Sequence, residues 1–351
     1  MESITTLDTV KEYYGKILRG TRDLKTSACC CADAVPENHK KILAEIDSEI
    51  LERFYGCGSP IPPALDGCTV LDLGCGSGRD VFLVSRLVGP DGFVIGVDMT
   101  EEQLAVARRH QDAQAEKFGY NKSNVDFRTG YIEDLSSLGS ADNSIDVVIS
   151  NCVINLSPQK ERVFSEIFRV LKPGGELFFS DVFAGRRIPR EMAYDSILRG
   201  ECLGGAMYIE DFRRLLRRLG CLDYRVFSKS PITLNNPEIE AKVGMVDFYS
   251  MTIRAFKLAA IEDICEDYGQ VAYYLGTIPD HKHRFALDDH HTFRTGMPML
   301  VCGNTAAMVG ETRFGKHFRV IGDISTHYGP FDCGAPVEAG GDVACGSGCC
   351  C

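Results

Sequence analysis

Hydrophobic positions along the first half of this chain fall into two alternating rhythms. Short apolar runs of strand length recur at Val70-Leu71 with Leu73, at Phe93-Val-Ile-Gly-Val97, over Val125–Thr129, at Ile145-Asp-Val-Val-Ile-Ser-Asn151, and through Leu171-Lys-Pro-Gly-Gly-Glu-Leu-Phe-Phe-Ser-Asp181. A helix is predicted ahead of them at about Glu37–Phe54, and helices between them at Arg79–Leu87 and from Thr100 to about Phe118. Thr100 ahead of Glu101-Glu102-Gln103 reads as a capping box. Ser157-Pro158 reads as an N-cap with proline in the first turn, before an inward face of Val163, Phe164, Ile167, Phe168 and Leu171. Strand and helix alternate from 69 to 182, which predicts an α/β fold with a doubly wound parallel sheet.

Outside that span the rhythm changes. Residues 5–24 place Val10, Tyr13, Tyr14, Ile17 and Leu18 at helical spacing, and Ser59-Pro-Ile-Pro-Pro63 is an extended connector. Tyr208–Leu219 predicts a helix whose basic face (Arg213, Arg214, Arg217, Arg218) is solvated and balanced by nearby acids. From about Pro231 a smaller α+β region is expected, with strands at Val271–Thr277, Met299–Cys302 and His317–Ile321. The glycine- and cysteine-rich end from Cys333 to Cys351 reads as a flexible tail. The expected organisation is therefore an N-terminal helical segment (1–58), an α/β domain (59–230), a small α+β domain (231–332) and the tail (333–351).

Composition alters this picture in two places. The formal net charge of -11 argues against a nucleic-acid partner, which requires a basic face. No basic-then-apolar leader and no apolar run of membrane-spanning length is visible, so a cytoplasmic protein without a membrane partner is expected. The 16 cysteines are the anomaly. In a long chain without a leader, they point to thiolate ligation or redox chemistry rather than a disulfide framework.

The first strand runs straight into Gly74-Cys75-Gly76-Ser77-Gly78, and the second ends in Asp98. Glycine suits a turn that needs left-handed backbone angles and lets a ligand approach the main chain, and an acid closing the next strand is placed to accept from ribose hydroxyls. The Gly-x-Gly-x-Gly spacing after Asp72 differs from that of nicotinamide and flavin enzymes. It resembles the first motif of class I S-adenosylmethionine-dependent methyltransferases, with a Rossmann-like fold. That resemblance places the cofactor at the carboxyl ends of the strands, on Asp72, Gly74, Gly76, Asp98, Met99 and Asn151, and the adenine by Tyr131-Ile132-Glu133.

Cys152 directly follows the fourth strand, and Cys202 lies in a glycine-bearing loop after the fifth that could reach back over the same opening. With Tyr13-Tyr14-Gly15, Asp23-Leu-Lys-Thr26, Tyr55-Gly-Cys-Gly58, Asp98-Met-Thr100, Ser150-Asn-Cys-Val-Ile-Asn-Leu156 and Gly200-Glu-Cys-Leu-Gly-Gly-Ala206, the chain resembles the arsenite S-adenosylmethionine methyltransferases. This resemblance implies trivalent arsenic held by Cys152 and Cys202, with Cys57 or a member of Cys29-Cys30-Cys31, first Cys29, as further functional cysteines. It also implies arsenite and methylarsenite as substrates, mono- and dimethylated products with trimethylation left open, a role in detoxification, and a thiol reductant such as glutathione or thioredoxin. Cys345 and Cys349–Cys351 resemble the cysteine-rich tail of many members. A monomer is expected. The rival readings are a small-molecule carbon, oxygen or nitrogen methyltransferase with structural cysteines, and a non-catalytic thiol protein that sequesters a soft metal. His281, His283, Asp288, Asp289, His290 and His291 carry ligand-type side chains, but a solvated turn between strands is the simpler reading.

Overall fold

The computed structural model describes residues 35–54, 56, 59–200 and 202–333. The expected N-terminal helix, Cys29–Cys31, Cys57 and the tail beyond Cys333 lie outside them.

An eight-stranded sheet organises the larger part of the described chain. Its strands β1 (Thr69–Leu73), β2 (Phe93–Asp98), β3 (Val125–Thr129), β4 (Ile145–Asn151) and β5 (Leu171–Ala184) are parallel, in the order β3-β2-β1-β4-β5. Both faces are covered, so neighbouring strand residues are apolar on either side. Leu71, Leu73, Ile95 and Val97 face one core, while Val70, Val94, Val147 and Ile149 face the other.

The sheet then changes character. β6 (Met207–Tyr208) adds two residues parallel to β5; β7 (Tyr224–Pro231) and β8 (Phe248–Phe256) pair antiparallel with each other, and β8 pairs antiparallel with β5. The parallel sheet expected over 69–182 is thus present as β1–β5, and the antiparallel β7 and β8 extend it beyond that span. The sheet also continues past residue 230, because β8 is its penultimate strand.

The single helix expected over 37–54 is two, α1 (Glu37–Leu43) and α2 (Ser48–Leu51), because the Asp47 side chain caps a fresh start by accepting from the Glu49 amide. α3 (Arg79–Val88) and α4 (Glu101–Lys117) pack on one face of the sheet. Thr100 heads α4 but makes no side-chain cap. Its amide donates instead to Asp98 Oδ1 at 2.8 Å. α5 begins at Lys160 and ends at Val170, without Ser157 as its N-cap. The Ser157 hydroxyl donates to the buried Glu133 and accepts from the Gln159 amide at 3.0 Å. Short α6 (Arg190–Tyr194) and α7 (Ser196–Gly200) precede α8 (Ile209–Arg218). The basic face of α8 is matched as expected, by Glu210, Asp211, Asp263 and Glu161. α9 (Pro237–Val243) leads into β8.

The C-terminal region has its own core. Its short strands are β9 (Glu266–Asp267), β10 (Gln270–Tyr274), β11 (Arg284–Ala286), β12 (Thr292–Arg294), β13 (Pro298–Val301), β14 (Phe318–Ile321) and β15 (Gly329–Pro330), with α10 (Gly303–Gly310) after β13. β10 lies between β13 and β14, all antiparallel, and β15 pairs with β9. Among the described residues no helix is long and apolar enough to cross a membrane.

One buried ion triad ties this region to the large sheet. Glu176 on β5 and Arg254 on β8 are fully buried and paired, and Arg313 closes on the same carboxylate. Arg254 also donates to the Leu287 carbonyl, and its guanidinium lies within 4.9 Å of the Phe178 ring centroid and 5.4 Å of that of Phe314. Arg313 donates to the carbonyls of Pro63 (3.0 Å) and Ala64 (3.1 Å), which fixes the connector ahead of β1. Removing one partner from such a cluster strands buried charge. Glu176→Gln should therefore cost about 3–5 kcal/mol of stability. Urea unfolding followed by circular dichroism measures it; a parental midpoint would mean that the triad does not hold the two regions together.

Candidate active site

The turn after β1 forms the floor of a cleft. Gly74, Gly76 and Gly78 have φ of +74°, +52° and +88°. A Cβ on Gly74 would lie 2.3 Å from the Val153 side chain, so the turn passes close beneath the residue after Cys152. A Cβ on Gly76 would meet nothing within 4 Å, because that residue faces the open cleft. Asp98 holds the turn from the neighbouring strand, with Oδ2 accepting from the Gly76 amide at 2.9 Å.

Phe54, Asp72, Asp80, Asn151 and Cys152 complete the main cleft. A side chamber sharing Gly74, Asp98, Val153 and Leu156 is lined by Met99, Ile132, Glu133 and Ser157. All of Asp72, Gly74, Gly76, Asp98, Met99, Ile132, Glu133 and Asn151 thus border one continuous space.

That space is acidic. Burial pushes the Asp72 carboxyl well above the carboxylate range, with Asp80 and Asp98 adding to the effect. Burial likewise raises Asp80 against the pull of Arg79, and Asp98 against its amide donors. Arg79 Nη1 and Asp80 Oδ1 are 3.3 Å apart yet not aligned as a hydrogen bond, and both atoms are buried without one. A ligand bearing positive charge would relieve this crowding of carboxyls. S-adenosylmethionine, cationic at sulfonium and amino group, fits that requirement.

The two thiol positions meet at the end of the cleft. Cys152 follows β4 with φ +56°, and Cys202 has φ +63°. Left-handed backbone at a non-glycine residue costs of order 1–3 kcal/mol and persists where the surroundings over-determine it. Both residues are buried, at 4% and 0% exposure, in an apolar cluster with Met192, Leu198 and Leu203. The two sulfurs and an Asp181 carboxylate oxygen lie within 4.8 Å of one another, and Cys202 Sγ donates to the Cys152 carbonyl at 3.3 Å. Cys152 is disulfide-bonded in this structure.

Gly205 explains the convergence. A Cβ there would sit 1.9 Å from the Asn155 carbonyl oxygen, so only glycine lets the 202–206 loop close on the 3-10 turn Ile154–Leu156. Beneath both, Asp181 accepts from the Asn155 amide (3.1 Å), Asn155 Nδ2 (2.7 Å) and the Val182 amide (2.8 Å). Burial raises its carboxyl to about 7 despite these donors. Lys160 spans the same turn, donating to the carbonyls of Asn155 (3.1 Å) and Ser157 (2.9 Å), and burial lowers its ammonium to about 8.

Comparison with known proteins bears on this pairing of an acidic cleft with two converging sulfurs. A methyltransferase-domain model matches residues 64–220, and a model of the arsenite methyltransferase C-terminal domain matches 267–350. An arsenite methyltransferase from Aquipseudomonas alcaligenes is 52% identical over 346 residues, 98% of this chain and 99% of that one. The chain belongs to the arsenite methyltransferase family. The human arsenite methyltransferase is 41% identical over 319 residues, covering 90% of this chain and 84% of the other. The crystal structure of an arsenic(III) S-adenosylmethionine methyltransferase from Chlamydomonas reinhardtii superimposes with a TM-score of 0.83 at 53% identity, over 85% of this chain and 100% of that one.

Within this arsenite methyltransferase fold, the sequence pointed to Cys152 and Cys202 but not to what holds them. Asp181 lies within β5, Asn155 in the 3-10 turn after β4 and Lys160 at the start of α5, and the sequence marked only Asp181, as the acid at which the predicted fifth strand stopped. Asp80 was visible only as the end of the glycine motif. Cys57 and Cys29 lie outside the described residues.

Gly205→Ala should push the Cys202 loop off Asn155. A displacement of about 1 Å at reacting groups costs roughly 100-fold in rate. Methyl transfer should fall accordingly, while calorimetric binding of S-adenosylmethionine to the rest of the cleft stays near parental. A folded Gly205→Ala protein with full activity would show that the close approach is not required.

Proposed function

We propose that this arsenite methyltransferase holds trivalent arsenic between the sulfurs of Cys152 and Cys202 and methylates it where the cofactor cleft ends. The observation that carries the reading is the convergence of two buried, left-handed cysteines on one point beside that cleft. S-adenosylmethionine, when bound, supplies an electrophilic methyl on a sulfonium. Asp98 accepts from its ribose hydroxyls, Met99, Ile132 and Glu133 surround its adenine, and Asp72, Gly74, Gly76 and Asn151 hold its amino-acid end.

The chemistry asks little more of the protein than position. Trivalent arsenic is soft and prefers thiolates, and its lone pair is the nucleophile. No proton has to leave arsenic, so no general base is needed. An As–C bond forms as the methyl–sulfonium bond breaks, and arsenic rises formally from the trivalent to the pentavalent state. Fixing the two groups in line is worth on the order of 7–11 kcal/mol of the barrier.

Two electrons must return arsenic to the trivalent state, and a thiol reductant such as glutathione or thioredoxin supplies them. The same reductant frees Cys152 from its disulfide before substrate binds. This dependence on reduced thiols is why we place the enzyme in the cytoplasm. Arsenite offers three replaceable hydroxyls and methylarsenite two, so Cys57 or Cys29 serves the first methylation as third ligand or as part of the reducing relay. We take the working unit to be the single chain.

Asp98→Ala removes an ionised acceptor and should weaken S-adenosylmethionine binding by about 1.5–3 kcal/mol. Unchanged affinity by calorimetry would remove Asp98 from the ribose. Arsenic speciation after incubation with arsenite, S-adenosylmethionine and a thiol tests the remainder. Cys152→Ser and Cys202→Ser should each abolish methylation of both arsenite and methylarsenite, since a hydroxyl is a hard donor. A folded Cys152→Ser protein that still methylates methylarsenite at the parental rate would overturn the two-thiolate site.

A further inference from the structure

A second group of thiols lies in the C-terminal region, away from the cleft. Cys265 precedes β9, Cys302 is the N-cap residue of α10, and Cys333 follows β15. They are 37 and 31 positions apart in sequence and are assembled by the fold. β15 pairs with β9, and the Phe331 amide donates to the Cys265 carbonyl at 2.8 Å, which draws Cys333 alongside Cys265. The three sulfurs lie within 4.8 Å of one another.

The surroundings suit a thiolate. Cys302 Sγ accepts from the Thr305 amide at 3.4 Å, as an N-cap side chain does, and lies 3.2 Å from the Thr305 hydroxyl. The Arg225 guanidinium, itself buried, is 3.9 Å away. The Cys302 thiol is accordingly held below its usual value, first by the hydrogen bond from Cys265 and then by Thr305 and Arg225. Its partner is raised: Cys265 gives that hydrogen bond as a thiol. Three thiols brought to one centre make a ligand set rather than three isolated core cysteines. Cys68 and Cys221 show the contrast, since each is simply buried and raised, Cys221 to about 12.

We propose that Cys265, Cys302 and Cys333 form a second binding site for trivalent arsenic, separate from the Cys152–Cys202 site and built from three thiolates of the C-terminal region. Binding of arsenite there breaks three As–O bonds and forms three As–S bonds. Each thiol proton leaves with a hydroxyl as water, and no electron is transferred. Two features favour arsenic over zinc. Structural zinc takes four ligands, and among the described residues no fourth His, Cys, Asp or Glu donor joins the three sulfurs. Charge points the same way: Arg225 is already matched by Asp223 at 2.7 Å and Asp288 at 3.2 Å. Three thiolates on trivalent arsenic are neutral, whereas on a divalent ion they would add a negative charge to this half-buried place.

The test uses the full reduced chain carrying Cys152→Ser and Cys202→Ser, so that the cleft no longer takes arsenic. After incubation with arsenite and removal of free metalloid, bound arsenic is measured by mass spectrometry and its sulfur ligands are counted by X-ray absorption. Adding Cys302→Ser should cut the sulfur ligands of this arsenic from three to two and lower the arsenic retained per chain after free metalloid is removed; all thiols elsewhere are common to both proteins. Serine is a good N-cap residue, so α10 should be retained. Cys333→Ser, at a half-buried position, should produce the same loss and serves if the Cys302 variant fails to fold. Bound arsenic unchanged by either substitution would overturn the proposal. So would uptake of zinc that blocks arsenite at these sulfurs, or oxidation of two of them to a disulfide with no arsenic uptake.

Discussion

A buried carboxylate within β5 is the constraint from which the proposed reaction centre is built. Asp181 receives the Asn155 amide and side chain and the Val182 amide, so the strand and the 3-10 turn after β4 become one unit. Gly205 then seats the next loop directly on the Asn155 carbonyl. The two cysteines sit on either side of that contact, each in left-handed backbone that it would not choose alone. Two such residues together cost about 2–6 kcal/mol at 1–3 each. The thiols are held by their backbone, which leaves the side chains little freedom to miss their substrate.

The cleft divides its two tasks by charge. Its cofactor end gathers Asp72, Asp80 and Asp98, each raised by burial, and so favours a cation. Its substrate end is apolar, with Met192, Leu198 and Leu203 around the sulfurs. Asp98 joins the tasks of turn and ligand: one oxygen steadies the Gly76 amide and the other the Thr100 amide at the start of α4. Losing the carboxylate would therefore loosen the glycine turn as well as the proposed ribose contact.

What the sequence revealed follows from the range over which each feature is determined. The turn Gly74–Gly78 and the acid at Asp98 were legible because strand, turn and helix requirements are local. The strand β3 was legible to the residue for the same reason. β7 and β8 were not legible as strands at all, since they join the sheet by long-range antiparallel pairing after the strand–helix alternation has ended. Thr100 and Ser157 looked like caps, but a carboxylate competed for each: Asp98, two residues back, takes the Thr100 amide, and Glu133, brought near by the fold, takes the Ser157 hydroxyl. The Glu176–Arg254–Arg313 triad left no local trace at all, because its members are 78 and 59 positions apart in sequence and only packing pairs them. The cysteines divided likewise. Cys152 and Cys202 carried recognisable neighbours, whereas Cys265, Cys302 and Cys333 acquire meaning only from the pairing of β9 with β15.

The position of Asp181 raises the question of why a carboxylate so close to two thiols does not itself take the metalloid. A hard oxygen donor competes poorly for a soft centre, and this one already accepts from three N–H donors, two of them on Oδ1. Burial that carries its carboxyl to about 7 also makes it a weaker anion near neutral pH than an exposed aspartate. The donors that brace the turn therefore also keep oxygen out of the coordination sphere. On the proposed reading, sulfur is left as the ligand with electron pairs to give, and substrate selection at this centre follows from hydrogen bonding that never touches the substrate.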